Sequence, residues 1–136
     1  MEFKYSNRFN SFCKSLDNLK ISVNADKTEV FVLPATVQNY NLTMDLAWKV
    51  MKELLTEYYG VIDFATGSPR QVLRQAFATE MIYDDVWLEM LNIRNKLAHD
   101  YDGEIANKYF ELITGDYCKQ FDIFKNFVLK LPEIDV

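Results

Sequence analysis

The chain has 136 residues, 49% of them hydrophobic and 26% charged, with only four Gly and three Pro. This is the balance of a folded globular domain, and it excludes the disordered, collagen-like and low-complexity classes. A formal net charge of −5 excludes a protein that coats nucleic acid through a general basic field, but leaves room for a small local phosphate site. The longest apolar runs, such as Phe31 to Ala35, fall far short of the about 20 residues needed to cross a bilayer. Met1 to Arg8 has no apolar stretch of the secretory kind, so a cytoplasmic protein without a membrane association is expected. Cys13 and Cys118 stand far apart in no metal-binding pattern, which reads as reduced thiols. Ten Phe, eight Tyr and two Trp are many for one small core, so some rings are expected at an interface.

No internal repeat and no Pro/Gly/Ser linker divides the chain, which reads as one helical domain over residues 1–136. Phe9, Phe12, Cys13, Leu16 and Leu19 recur at helical spacing and predict a first helix from about Tyr5 to Lys20. Residues 21–34 read as a connection, with Pro34 suited to a helix start. The second helix carries one apolar stripe through Val37, Tyr40, Met44, Ala47, Trp48, Met51, Leu54, Leu55 and Tyr58, and Gly60 stands just past it as a C′ glycine. Ser68-Pro69-Arg70-Gln71 is a capping signature: Ser68 as N-cap, Pro69 at N1, Gln71 reaching back from N3. Leu73, Ala76 and Phe77 continue that short third helix. Asp84 or Asp85 can cap a fourth, which carries Val86, Trp87, Met90, Leu91, Arg94, Leu97 and Ala98. Gly103 marks a break. A long fifth helix follows, with Ile105, Tyr109, Phe110, Ile113, Tyr117, Phe121, Phe124 and Val128 inward. Only Thr28 to Leu33 has a strand-like composition, and it lies alone. The expected architecture is all-α: an antiparallel up-and-down bundle of four long helices and one short one.

Chemistry concentrates around the single histidine, His99, in Ile93-Arg94-Asn95-Lys96-Leu97-Ala98-His99-Asp100-Tyr101-Asp102-Gly103. No second His or Cys stands at ligand spacing, so neither a metal nor another cofactor is expected. A Cys–His nucleophile pair would need the fold to bring a distant cysteine to His99. Arg94 and His99 are five residues apart, about 140° of helical rotation, so on a continuous helix they face different ways. Two routes bring them together. The helix can loosen before Gly103, or two copies can pack so that both line one cleft, which makes a symmetric dimer part of the site.

Two readings of this segment stand. In one, Asp102 caps the last helix, Tyr101 packs beside it, Arg94 pairs with an acid and His99 is a solvated helix end. In the other, Arg94 holds a phosphate in a bidentate fork and His99 moves a proton at a ribose hydroxyl, with Asn95 orienting the phosphate or the imidazole. Arg70 and Arg74, one turn apart on the third helix, are either a solvated edge or a contact for an RNA backbone. Trp48 and Trp87 read as core or interface residues, and Lys49 and Lys52 as solvated.

Arg94, His99 and Tyr101 match the R-x4-H-x-Y motif of the HEPN domain superfamily. The chain resembles, more closely, the HEPN proteins described as nucleotidyltransferase substrate-binding subunits. The similarity covers nearly the whole chain and rests on four blocks in order. These are Met44 to Lys49, like that family's F-E-x-A-W-K stretch; Ser68 to Phe77; Trp87 to Asn95; and the Arg/His/Tyr motif itself. Met44-Asp45 departs from the usual Phe-Glu, a mild change that reads as leaving the motif untouched. The resemblance implies a helical bundle forming a homodimer or higher oligomer, and a minimal nucleotidyltransferase encoded nearby as partner. In related toxin–antitoxin pairs it implies a metal-independent ribonuclease acting on RNA, silenced when the partner adenylylates the motif tyrosine, here Tyr101. The alternative it implies is a non-catalytic subunit that docks a nucleotidyltransferase and presents its substrate.

Overall fold

The structure is a computed structural model that describes residues 6–61 and 67–132. Its helices are α1 (Ser6–Lys20), α2 (Val32–Glu53), α3 (Pro69–Ala78), α4 (Val86–Leu97), α5 (Glu104–Leu112) and α6 (Cys118–Leu129). Helix α2 runs on through a π-helical turn at Leu54–Tyr58, and a second one at Ile113–Tyr117 joins α5 to α6 in one rod. The described residues contain no strand. The described residues therefore form three long rods and two shorter helices, where four long and one short were expected. The difference is α4, which has 12 residues and stops where the chain turns into the Asp100–Gly103 loop. Tyr5, the expected start of the first helix, lies outside the described residues.

The strand-like segment fails as a strand for a local reason. Asp26 Oδ1 accepts from the Thr28 N–H at 2.9 Å and from its hydroxyl at 2.7 Å, an Asx turn that bends the chain before it can extend. Helix α2 then starts at Val32, so Pro34 sits in its first turn, two residues later than expected. The other punctuation is as the residues suggest. Gly60 adopts φ +70° past the end of the second rod, and Ser68 and Gln71 complete a reciprocal capping box on α3.

Contacts across the core set the direction of the rods. Arg8 pairs with Glu53, Ser15 with Thr43 and Ser22 with Thr36, so α2 descends as α1 ascends. Tyr40 donates to the Met90 carbonyl at 2.7 Å and Arg94 to Asp45, so α4 runs parallel to α2. The hydroxyl pairs are buried, each with O···O of 2.6 Å. Thr43 and Thr36 spend their single protons on the carbonyls of Asn39 and Val32. Ser15 and Ser22 must therefore be the donors to them, which satisfies all four groups and holds α1 in register on α2.

Aromatic rings fill the centre. Phe12, Trp87, Phe121 and Phe124 meet edge to face with centroids 5.6–6.1 Å apart, and Tyr40 stacks on Tyr117 at 5.8 Å. Trp87 is core, while Trp48 is half-buried with the Lys49 ammonium 5.8 Å from its ring. The rings the core does not hold are on the surface: Phe31, Phe77, Tyr83 and Tyr101 are all exposed.

Candidate functional site

The motif lies where α4 gives way to α5. After Leu97 the backbone closes through i→i−3 bonds, His99 N–H to the Lys96 carbonyl and Asp100 N–H to that of Leu97. The chain does leave the α-helix before Gly103, but by tightening into i→i−3 turns and not by loosening, and this does not join Arg94 to His99. The turn is then pinned from the far side. Asp100 places Oδ1 on the Ile105 N–H at 3.0 Å and Oδ2 on the Ala106 N–H at 2.8 Å. These are two of the donors that the first turn of α5 leaves without an intrahelical partner. Asp102, expected to be the cap, accepts only from Glu104, at 3.2 Å. Gly103 at φ +79° turns the chain back so that Asp100, and not its nearer neighbour, reaches both amides.

His99 and Tyr101 flank this pinned aspartate and point to solvent. Tyr101 is 93% exposed, so it does not pack as a staple against the last helix. Its ring centroid is 6.5 Å from that of His99. Asn95 is exposed one turn before His99. Asn92, a further turn back, accepts from Arg70 Nη2 at 2.8 Å, which brings one guanidinium of α3 onto the outer face of α4.

Arg94 is engaged within the chain. Its Nε donates to Asp45 Oδ1 at 3.0 Å and its Nη2 to Oδ2 at 2.8 Å. This two-pronged pair, with both side chains roughly 30% exposed, raises the Arg94 pKa above its ordinary value through the hydrogen bonds that Arg94 donates to Asp45, with partial burial opposing. No hydrogen bond joins Arg94 to His99. Asp45 is the residue that sequence reasoning missed: the departure from the family's Phe-Glu, read as lying apart from the motif, bears directly on its arginine. An unpaired Arg at the edge of an apolar stripe needs an acid, and Asp45 at the edge of the α2 stripe was the available signal.

Tyr101 also borders an open groove of about 620 Å³ between the α1–α2 connection and the start of α5. Among the described residues no group of three His, Cys, Asp or Glu side chains is placed to hold a metal ion. Both cysteines are free, with Cys118 buried and its thiol pushed up to about 11 by that burial. No helix among the described residues is long and apolar enough to cross a membrane. No curated protein matches the chain. Residues 7–130, which include every helix described above except the first residue of α1, match the family described as nucleotidyltransferase substrate binding protein like. With this match over most of its length, the chain belongs to that nucleotidyltransferase substrate-binding family.

Proposed function

We propose that this protein is the HEPN subunit of a two-component nucleotidyltransferase system and a metal-independent endoribonuclease, silenced when its partner transferase adenylylates Tyr101. The observation that carries this reading is the exposed Tyr101 phenol beside His99, on a turn that Asp100 holds fixed. A transferase can reach that hydroxyl without unfolding anything. Attack of the Tyr101 oxygen on the α-phosphorus of a nucleoside triphosphate forms the phosphodiester. It expels pyrophosphate and releases the phenolic proton to solvent. The product adds a charge of about −1 next to His99, less than the −1.5 to −2 of a phosphomonoester. It acts as a tethered competitor for the phosphate of RNA.

Cleavage itself would proceed by attack of a ribose 2′-hydroxyl on the adjacent phosphorus. His99 takes the hydroxyl proton or returns one to the departing 5′-oxygen. Arg94 holds the phosphate and its developing charge, and Asn95 orients it. Each chain supplies one imidazole, so base and acid together call for two copies, and the site is composite across a homodimer. Ultracentrifugation at micromolar concentration is expected to show a dimer. EDTA is expected to leave cleavage by the pure protein unchanged.

A second reading has one observation in its favour. The Arg94 donors already hold Asp45, so an RNA phosphate must displace a carboxylate or take the remaining edge of the guanidinium. A non-catalytic subunit that presents a substrate to the transferase has no such requirement. Expression of wild type against His99→Ala separates the two. Growth arrest by wild type alone supports the nuclease, and equal, harmless expression of both supports the presenting subunit. Tyr101→Phe is expected to keep the toxicity and lose its silencing by the partner. No mass gain on Tyr101 in an active pair removes adenylylation.

A further inference from the structure

The groove beside Tyr101 has a chemistry that selects what can enter it. One wall is apolar, from Val30, Leu33 and Val37 on the α1–α2 connection and the start of α2. Val30 is 80% exposed, and Leu33 and Val37 are half-buried against the core. Around that wall stand three carboxylates, Glu29, Asp100 and Asp102, against one ammonium, Lys27. The Lys27 charge is already answered, since its Nζ lies 3.0 Å from Glu111 and 3.3 Å from the Asn107 carbonyl. An anion is therefore disfavoured inside. A flat, neutral, partly apolar group is favoured, and the volume is in the range of small-molecule sites.

Resting on the adenylylation proposed above, we infer that this groove is the cradle for the base of the nucleotide attached to Tyr101. Tyr101 forms part of the groove's own border, so a base linked through ribose and phosphate to its hydroxyl begins at the mouth. The arrangement separates the nucleotide by charge. The phosphodiester stays outside beside His99, and the neutral purine lies on Val30, Leu33 and Val37. The Glu29 carboxylate is the acceptor that an exocyclic amine would meet. Tethering makes weak contacts sufficient. A short linker gives an effective concentration on the order of a few millimolar, so an intrinsic affinity of about 1 mM keeps the base seated roughly four-fifths of the time. Seating the base also fixes the phosphate in place, where a freely swinging nucleotide would leave the cleft open for much of the time.

The test uses the full chain, unmodified and modified. Methyl NMR of the unmodified protein is expected to show Val30, Leu33 and Val37 shifting with millimolar AMP and not with ribose 5-phosphate, which keeps the phosphate and lacks the base. In protein carrying AMP on Tyr101, the adenine protons are expected to show NOEs to the same methyls. Phosphodiesterase is expected to remove the nucleotide about fivefold faster from Val30→Glu than from wild type, as the seated fraction is lost. Val30 is exposed, so this substitution leaves the fold intact. Groove methyls that ignore AMP, or equal removal rates from the two proteins, overturn the cradle while leaving adenylylation standing. Shifts that follow protein concentration alone assign the groove to a second copy and overturn it too. Absence of any adenylate on Tyr101 overturns the reading on which the inference rests, and the inference with it.

Discussion

Replacing Asp45 with Ala removes both acceptors of the Arg94 fork, Oδ1 at 3.0 Å and Oδ2 at 2.8 Å, and leaves a guanidinium that is only about 30% exposed. Fully exposed pairs contribute about 0.2–1 kcal/mol, and breaking a fully buried pair costs about 3–5 kcal/mol. The partial exposure and the good bidentate geometry place this pair between those limits, at a loss of about 2 kcal/mol for Asp45→Ala, of which about 1 kcal/mol is the pairwise coupling. For a chain of this length the loss corresponds to a fall in Tm of about 8 °C. The assay is a double-mutant cycle in urea, with Asp45→Ala, Arg94→Ala and the double variant, read as midpoints at constant m-value. Raising the salt concentration is expected to reduce the coupling only in part, because one face of the pair is covered. A coupling below about 0.3 kcal/mol, within the error of additive sites, would refute the argument that Asp45 holds Arg94 in solution.

Three further outcomes follow from particular contacts. Asp100→Ala removes two amide partners at once and is expected to cost about 1–2 kcal/mol. Backbone NMR should show its effect concentrated at His99–Ala106; an effect spread evenly over the chain would contradict the capping role. Glu80 holds φ +62° just after α3, a conformation that side chains disfavour, so Glu80→Gly is expected to raise stability by about 0.5–1 kcal/mol in the same urea assay. Cys118, with its thiol pushed up to about 11, has about one-thousandth of its population as thiolate at pH 8. Iodoacetamide should therefore label Cys13 first and reach Cys118 only on unfolding. Equal labelling rates in the native protein would show that the core around α6 opens readily.

Much of the architecture was legible because it is local. The apolar stripe from Val37 to Tyr58, the capping box at Ser68 and the glycines at 60 and 103 each act over one or two turns, and the helices fall where those signals put them. The two π-helical turns carried no such signal: they widen a rod without changing which residues are apolar. The extent of α4 was legible to within one residue, since its stripe runs from Val86 to Ala98 and the helix ends at Leu97; at 12 residues it is shorter than the rods among which it was counted.

The amino-acid sequence by itself determined the helical class, the order of the helices and the candidate segment around His99. These depend on residue type and on periodicities of three to four, and both are printed in the chain. Tertiary structure decided everything that depends on how one helix is rotated against another. Asp45 and Arg94 are 49 positions apart, and Ser15 and Thr43 are 28 apart. Nothing in either stripe states that these side chains will meet. Likewise, residues near 30 and near 101 border one groove only because α2 and α5 pack together. Periodicity identifies the face that leaves water. Which partner that face meets, and in what register, is set by close packing of rings such as Phe12, Trp87 and Phe121, whose fit is a property of the whole core.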